Sequence, residues 1–320
     1  MRWHWLDRHG WLGPLIALVA LYGVFALVQP DTFATVDTLK TMTRQTSVVG
    51  LCALGMTLVI VLGGIDLSIG STVALVTVVM AWLLQAGWGP LAAALAGVLV
   101  GGFCGLANGV LITGLRVTPF IVTLGAMGII RGAAKGLAHE QKIDAPITWL
   151  NDLVAELPRD RAWMLLPPGV WLTLVLAVAA AVLLGYTRFG RHILAIGSNE
   201  AAARLCGVRV PRVKVAVYAI EALLAGAAGI MQFSRLTVGD PTVAAGLELD
   251  VIAAVVIGGG SLSGGEGSIP GALVGAMLMT EIRTGCTHAG LSIWLQEMIT
   301  GTIIVLAVAL DRLRHRGVGS

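Results

Sequence analysis

The sequence predicts an all-α membrane protein of about ten transmembrane helices with one short cytoplasmic helix. Three observations carry that prediction. Charged residues make up 12% of the 320-residue chain, against roughly 25% in an average soluble domain. Residues 67–115 contain no Asp, Glu, Lys or Arg. The apolar runs are about twenty residues long, the length a helix needs to cross a bilayer, and Gly, Pro or charge separates them. A surface this poor in charge suits lipid rather than water, provided that its backbone is satisfied within helices.

The elements follow in order. A run at 12–28 comes after a basic, aromatic stretch from Met1 to Gly10 and ends in Gln29-Pro30-Asp31. It lacks a small-residue cleavage site and reads as a retained span, not a secretory signal. Further helices are expected at 45–64, 69–86, 91–112, 118–136, 165–186, 215–235, 247–260, 268–286 and 291–310. Turn chemistry at Gly87-Trp88-Gly89-Pro90 and at Arg116-Val117-Thr118-Pro119 separates three of them. The whole chain, 1–320, reads as a single integral-membrane domain. Ten spans put both termini on one side.

Charge assigns the sides. The loop 186–214 holds Arg188, Arg191, Arg204, Arg209, Arg212 and Lys214 against the single acid Glu200. The loop 136–164 holds Lys142, Arg159 and Arg161 against five acids, and 236–250 has three acids and no basic residue. Arg312, Arg314 and Arg316 lie in the tail. Lys and Arg accumulate on the cytoplasmic side, so both termini and 186–214 are expected inside and 136–164 outside.

An internal echo joins the two halves. Residues 59–71 read VIVLGGIDLSIGS and residues 255–268 read VVIGGGSLSGGEGS. Each is an apolar helix, a Gly pair, a Leu-Ser step and a Gly-Ser exit. Chance similarity of glycine-rich helix ends and two related halves are both open readings. Gly97, Gly101, Gly105 and Gly109 recur every four residues, the pattern of a helix packed closely on a neighbour.

Several function classes are excluded by missing chemistry. A phosphate-binding loop needs Lys followed by Ser or Thr after a glycine-rich turn. The four Lys residues precede Thr41, Gly136, Ile143 and Val215, and no glycine loop precedes Lys40. No catalytic signature of the GxSxG or HExxH kind is present. Cys52, Cys104, Cys206 and Cys286 are scattered, which suggests neither a disulfide framework nor a metal site. No cofactor is expected. No basic face with interleaved aromatics points to nucleic acid.

The inner loop is the sharpest local feature. It reads GSNEAAARLCGV at 197–208. Ser198 or Asn199 is placed to cap a helix, Glu200 to complement its dipole, Ala201, Ala202 and Ala203 to propagate it, and Gly207 to end it. Arg204 rims it. A solvated loop helix and a docking helix for a cytoplasmic partner are the two readings.

Four segments together carry a family resemblance: GGIDLSIGS at 63–71, ANGVLITGLRVTPFIVTLGAMGIIRG at 107–132, GSNEAAARLCGV at 197–208 and AAVVIGGGSLSGGEGSIPGALVGA at 253–276. The chain resembles the permease subunit of bacterial monosaccharide ABC importers, the ribose/xylose/galactoside group. The resemblance implies a multi-pass protein of the bacterial inner membrane. It implies a second permease copy, identical or paired, a cytoplasmic ATP-binding subunit and an extracytoplasmic sugar-binding protein, with membrane lipid around it. ATP hydrolysis then falls to the separate subunit, and Asn199, Glu200, Ala201, Ala202, Arg204 and Gly207 correspond to the loop that meets it.

Polar residues at membrane depth are costly and often functional. Asp66 sits in the first glycine-rich break, either as a cap or as part of a gate. Asn108 lies near the inner end of its helix, either bridging helices or meeting a sugar hydroxyl. With Ser68 and Ser261 they form the expected polar substrate path, bordered by the two breaks. Glu221 and Glu297 lie deeper, with Arg235 and Arg283 nearer the outer face, and helix-to-helix pairing is the expectation for these four. An ion-coupled secondary transporter and a permease for branched-chain amino acids are the competing readings. The docking helix argues against the first, and the segment 63–71 against the second.

Overall fold

The structure, a computed structural model, describes residues 12–158 and 163–316, with side chains through residue 309. Met1 to Gly10, Arg159, Arg161 and the side chains of Arg312, Arg314 and Arg316 lie outside the described residues, and so do the expectations resting on them. The helices are α1 (Leu12–Val28), α2 (Val36–Val61), α3 (Ile69–Gln85), α4 (Pro90–Leu115), α5 (Pro119–Leu137) and α6 (Pro168–Tyr186). The inner loop contributes α7 (Arg188–Ser198) and α8 (Glu200–Leu205). There follow α9 (Val210–Leu236), α10 (Leu247–Ile257), α11 (Ile269–His288) and α12 (Ile293–Arg316). Two residue pairs form a minimal antiparallel ribbon, β1 (Ile143–Asp144) with β2 (Val238–Gly239). The protein is an all-α, multi-pass membrane protein. All ten expected apolar helices are present, and α2, α4, α5, α6 and α9 are long and apolar enough by themselves to cross a bilayer.

Local chemistry sets the helix starts. Pro90, Pro119 and Pro168 open α4, α5 and α6, where the absent N–H costs nothing. The Thr35 hydroxyl accepts from the Thr38 N–H at 3.2 Å, so α2 begins nine residues before the expected start, on a polar turn above the apolar run.

Helix α2 is the axis of the core. From Leu51 to Val61 every residue is buried, against α9, α11, α10 and α6. The most extensive packing joins α4 to α9. The glycine row of α4 is the reason. A Cβ at Gly101 would sit 2.6 Å from the Ala222 carbonyl oxygen, one at Gly109 2.7 Å from Val215 Cα, and one at Gly105 on the Tyr218 carbonyl. Backbones approach closely because no side chain separates them. The opposite face of α4 exposes Leu95, Leu99, Phe103 and Val110, large apolar groups suited to lipid tails.

Two expectations are corrected. Residues 188–198 form a helix rather than loop: Thr187 Oγ1 accepts from Gly190 N at 3.0 Å, and Gly190, Ile193 and Ile196 make a narrow buried face. The span expected at 247–260 is a half-helix. Helix α10 has 11 residues, about 16 Å at 1.5 Å per residue, half a bilayer. The chain before it is why. After the left-handed Thr237, residues 238–246 run back along α3 without helical structure. The Thr77 hydroxyl meets the Asp240 backbone, and the Arg131 guanidinium donates to the carbonyls of Pro241 (3.0 Å) and Val243 (2.6 Å). The Ala244 carbonyl lies against Gly70 in the first turn of α3. Helix α10 therefore starts beside the first turn of α3 and not at the start of a full-length span.

Candidate functional site

The sequence echo is a structural one. Helices α2 and α10 end in the same capping motif, in the register of the two segments. Gly63 N–H donates to Ile60 O at 2.9 Å and Gly64 N–H to Val59 O at 2.9 Å. Correspondingly, Gly259 N–H donates to Val256 O at 3.0 Å and Gly260 N–H to Val255 O at 2.8 Å. Gly63 (φ 85°) and Gly259 (φ 90°) hold the left-handed position that this cap demands and that a side chain would strain.

The exits differ, and the difference builds a site. Ser268 caps α11 through Gly271 N–H at 3.3 Å. Ser68 does not cap α3. Its hydroxyl donates to Asp66 Oδ1 at 2.6 Å and accepts from Asn108 Nδ2 at 2.9 Å. Asp66 Oδ1 also accepts the Ser68 N–H at 2.7 Å, and Asn108 Nδ2 reaches Asp66 Oδ2 at 3.2 Å. Asp66, Ser68 and Asn108 are each at most 2% exposed. They clamp the first break to α4. The Glu221 carboxyl of α9 faces Asp66 from the other side, and its Oε1 has no hydrogen-bond partner. The Tyr218 hydroxyl donates to the Ile65 carbonyl at 3.4 Å.

Three of the four expected path residues thus come together. Ser261 does not join them through any described contact: it is buried in the second break, where its hydroxyl accepts the Ser263 N–H and its backbone pairs with Glu266 and Gly264. Pairing between helices, expected for four charges, holds for Arg283, whose guanidinium meets Asp250 at 2.6 Å. It fails for Glu221, which faces a carboxyl, and for the exposed Glu297. Sequence reasoning missed the Glu221–Asp66 approach because nothing local links residues on α9 and the first break.

The two breaks meet each other and the inner loop. Gly265 N–H donates to Val61 O, the end of α2, at 2.8 Å. A Cβ at Gly264 would lie 2.8 Å from Gly197 O and 3.0 Å from Gly63 Cα. One at Gly265 would lie 3.1 Å from Ser198 Cα. Three glycine-bearing backbones touch at one point, at the junction of α7 and α8.

From that junction α8 projects. Asn199 Oδ1 accepts from Ala202 N–H at 2.9 Å, so of the two cap candidates Asn199 is the cap and Ser198 is not. Glu200 pairs internally, with Lys214 on α9 at 2.7 Å and Arg204 at 2.9 Å. The hydrogen-bonded Lys214 ammonium, with Arg204, holds its carboxyl below the ordinary value of 4.5. Ala203 faces inward, while Ala201, Ala202, Arg204 and Gly207 are exposed. Leu205 is 90% exposed, an apolar side chain that the sequence reading passed over.

Comparison with known proteins agrees with this architecture. A family model described as "Branched-chain amino acid transport system / permease component" matches residues 38–308. The chain is 39% identical to the ribose import permease protein RbsC of Escherichia coli (strain K12), over 94% of this chain and 93% of that protein. It is 40% identical to the RbsC of Bacillus subtilis (strain 168), over 94% and 92%. It is 34% identical to the L-arabinose ABC transporter permease protein AraH of Azospirillum brasilense, over 98% and 90%. No solved structure matches the chain. A match over most of the helical core, with relatives aligned nearly end to end, means that this chain belongs to that family of transport-system permease components.

Proposed function

We propose that the chain is the membrane permease of an ATP-driven importer for a monosaccharide, a pentose, a hexose or a similar polyol. Its relatives are named for ribose and L-arabinose, which favours sugars over the amino acids in the family's description. A separate cytoplasmic ATP-binding subunit hydrolyses ATP, an extracytoplasmic binding protein delivers the sugar, and a second permease copy completes the channel. The basic loop 186–214 supports a cytoplasmic α7 and α8, with both termini on that side of a bacterial inner membrane.

The observation that carries the reading is the geometry of α8. One end is an exposed apolar and small-residue face: Ala201, Ala202 and Leu205, flanked by Arg204 and Gly207. The end of α7 immediately before it, at Gly197 and Ser198, is wedged against both glycine breaks. A helix so placed converts movement of a docked ATPase into movement of the breaks. Asn199 and Glu200 then hold the lever in shape, Asn199 by capping it and Glu200 by tying it to α9 through Lys214. The Asp66–Ser68–Asn108 clamp offers hydrogen-bonding groups to sugar hydroxyls when the first break shifts, and the second break, with Ser261, forms the opposite border. A transporter working without an ATPase has no use for an apolar face on its inner loop.

Leu205→Asp tests the docking face. Co-expressed with its ATPase, the variant is expected to reach the membrane at the parental level, and to retain less than a tenth of the ATPase on copurification and of the uptake. Parental copurification and uptake would overturn the docking role.

A further inference from the structure

A second polar site lies in the half of the protein away from α8. A cavity of about 180 Å³ opens between α2, α9, α10 and α11. By the volume one water needs, it holds on the order of ten water molecules, room for one sugar ring. Its polar lining is dense for this depth: Gln45, Gln232, Arg235, Asp250 and Arg283. Gln232 and Asp250, 4% and 2% exposed, form the floor, while Arg235 and Arg283 are exposed at the rim. Residues 243–245, part of the non-helical segment, complete the wall. Irregular backbone at membrane depth persists only where protein covers it or where it lines a water-filled space.

The hydrogen-bonding inventory is unspent. Asp250 Oδ2 takes the Arg283 guanidinium at 2.6 Å, while Oδ1 has no partner. Among the described residues Arg235 makes no hydrogen bond or ion pair, and the two glutamines have no described side-chain bond. The free groups are thus one guanidinium fork, two amides that both donate and accept, and one carboxylate oxygen. Vicinal hydroxyls, each a donor and an acceptor, match that mixture. A zwitterionic amino acid matches it poorly, because Arg283 already neutralises the carboxylate that its ammonium would need. Aliphatic side chains such as Met279 face the same space and suit the C–H face of a sugar ring.

We propose that this cavity is a monosaccharide-binding vestibule, in which Arg235, Gln45, Gln232 and the free oxygen of Asp250 hold the hydroxyls of one pentose or hexose before it reaches the Asp66 clamp. The proposal rests on the importer reading and adds a place and a set of residues to it. Half-helix α10 begins at the vestibule, at Leu247, and ends at the second break, so one rigid element links the vestibule to that break.

The test uses the permease assembled in proteoliposomes with its ATPase and binding protein. Labelled D-ribose, L-arabinose, D-xylose, D-galactose, D-glucose, myo-inositol and L-leucine are the probes. Gln232→Leu and Arg235→Met are expected to slow uptake of the transported sugar at least tenfold, with the amount of assembled transporter in the proteoliposomes equal to the parent's. In a second measurement, Gln45→Cys on a background without native cysteines is labelled with a maleimide. The transported sugar at tens of millimolar is expected to slow labelling at least threefold, and leucine to leave it unchanged. If the parent transports none of these sugars and polyols, the importer reading itself fails. If the parent transports one of them, yet both variants keep the parental rate or that sugar leaves labelling unchanged, the vestibule is refuted and the importer reading stands. Protection by leucine alone also refutes it.

Discussion

Replacing Asn108 with alanine cuts the tie between α4 and the first glycine break. Its Nδ2 donates to Ser68 Oγ at 2.9 Å and to Asp66 Oδ2 at 3.2 Å. The bond to the hydroxyl is neutral, and its net worth is about 1 kcal/mol. The bond to Asp66 costs more to lose. Asp66 is 1% exposed, and a buried acceptor left without its donor is penalised by roughly 1–3 kcal/mol. The sum is about 2–4 kcal/mol. At about 2 °C per kcal/mol for a chain of this size, the thermal midpoint falls by roughly 4–8 °C. Tryptophan fluorescence of the purified protein in detergent reads that shift. Ser68→Ala and the double variant complete a mutant cycle. Because the Ser68 hydroxyl both donates to Asp66 and accepts from Asn108, the two substitutions are expected to couple by about 0.5–3 kcal/mol. A midpoint shift below 1 °C for Asn108→Ala, or strict additivity in the cycle, would refute the clamp as one network.

Four further outcomes follow from the structure. Glu221→Gln keeps the side-chain shape and places an amide donor beside Asp66, so the midpoint is expected to stay within about 2 °C of the parental value; a larger fall would show that the carboxyl itself is needed there. Gly105→Val drives a side chain into the Tyr218 carbonyl and is expected to cost about 3 kcal/mol or more, whereas Gly114→Val, with open space around it, serves as the neutral control; equal yields of folded protein would contradict the α4–α9 packing. Cys206 is exposed while Cys52, Cys104 and Cys286 are buried, so an impermeant maleimide is expected to label the native protein at Cys206 in inside-out vesicles and not in intact cells; the reverse pattern would invert the topology. Because the carboxyl of Glu200 is held below 4.5 by Lys214 and Arg204, its contribution is complete above that pH and is lost as pH falls through the lowered value. The group is 41% exposed, so the gap between parent and Glu200→Gln is at most about 1 kcal/mol, present at pH 7 and closing in acid as the carboxyl takes up its proton; a gap that widens in acid would have the wrong sign.

Much of the fold is legible in the sequence because lipid leaves few alternatives. An apolar run of twenty residues has to be a helix, and Pro90, Pro119 and Pro168 mark where three of them start. The Gly63 and Gly259 caps are legible too, since the aligned pairs at 63–64 and 259–260 carry the same backbone demand. What escaped has physical causes. Helix α7 buries only Gly190, Ile193 and Ile196, and its arginines gave it the composition of a loop. Residues 247–260 have the hydropathy of a span, yet hydropathy says nothing about the place at which a helix starts. That place is set by Thr77, Arg131 and Gly70, on two other helices. The same holds for the candidate sites. Asp66, Ser68 and Asn108 stood out singly as polar residues in apolar surroundings, but their contact is tertiary. The vestibule gathers Gln45, Gln232, Asp250 and Arg283 from four helices, and no local pattern announces it.

The meeting of Gly63, Gly197 and Gly264 has a mechanical consequence. A joint made through side chains has slack, because rotamers turn and absorb the first ångström of displacement. Here backbone lies on backbone, tied by the Gly265–Val61 hydrogen bond, and no rotamer stands between the parts. Displacement of the Gly197–Ser198 backbone therefore bears directly on the end of α2 and on the loop after α10. The two halves of the molecule meet at that point, so a shift of one break presses on the other.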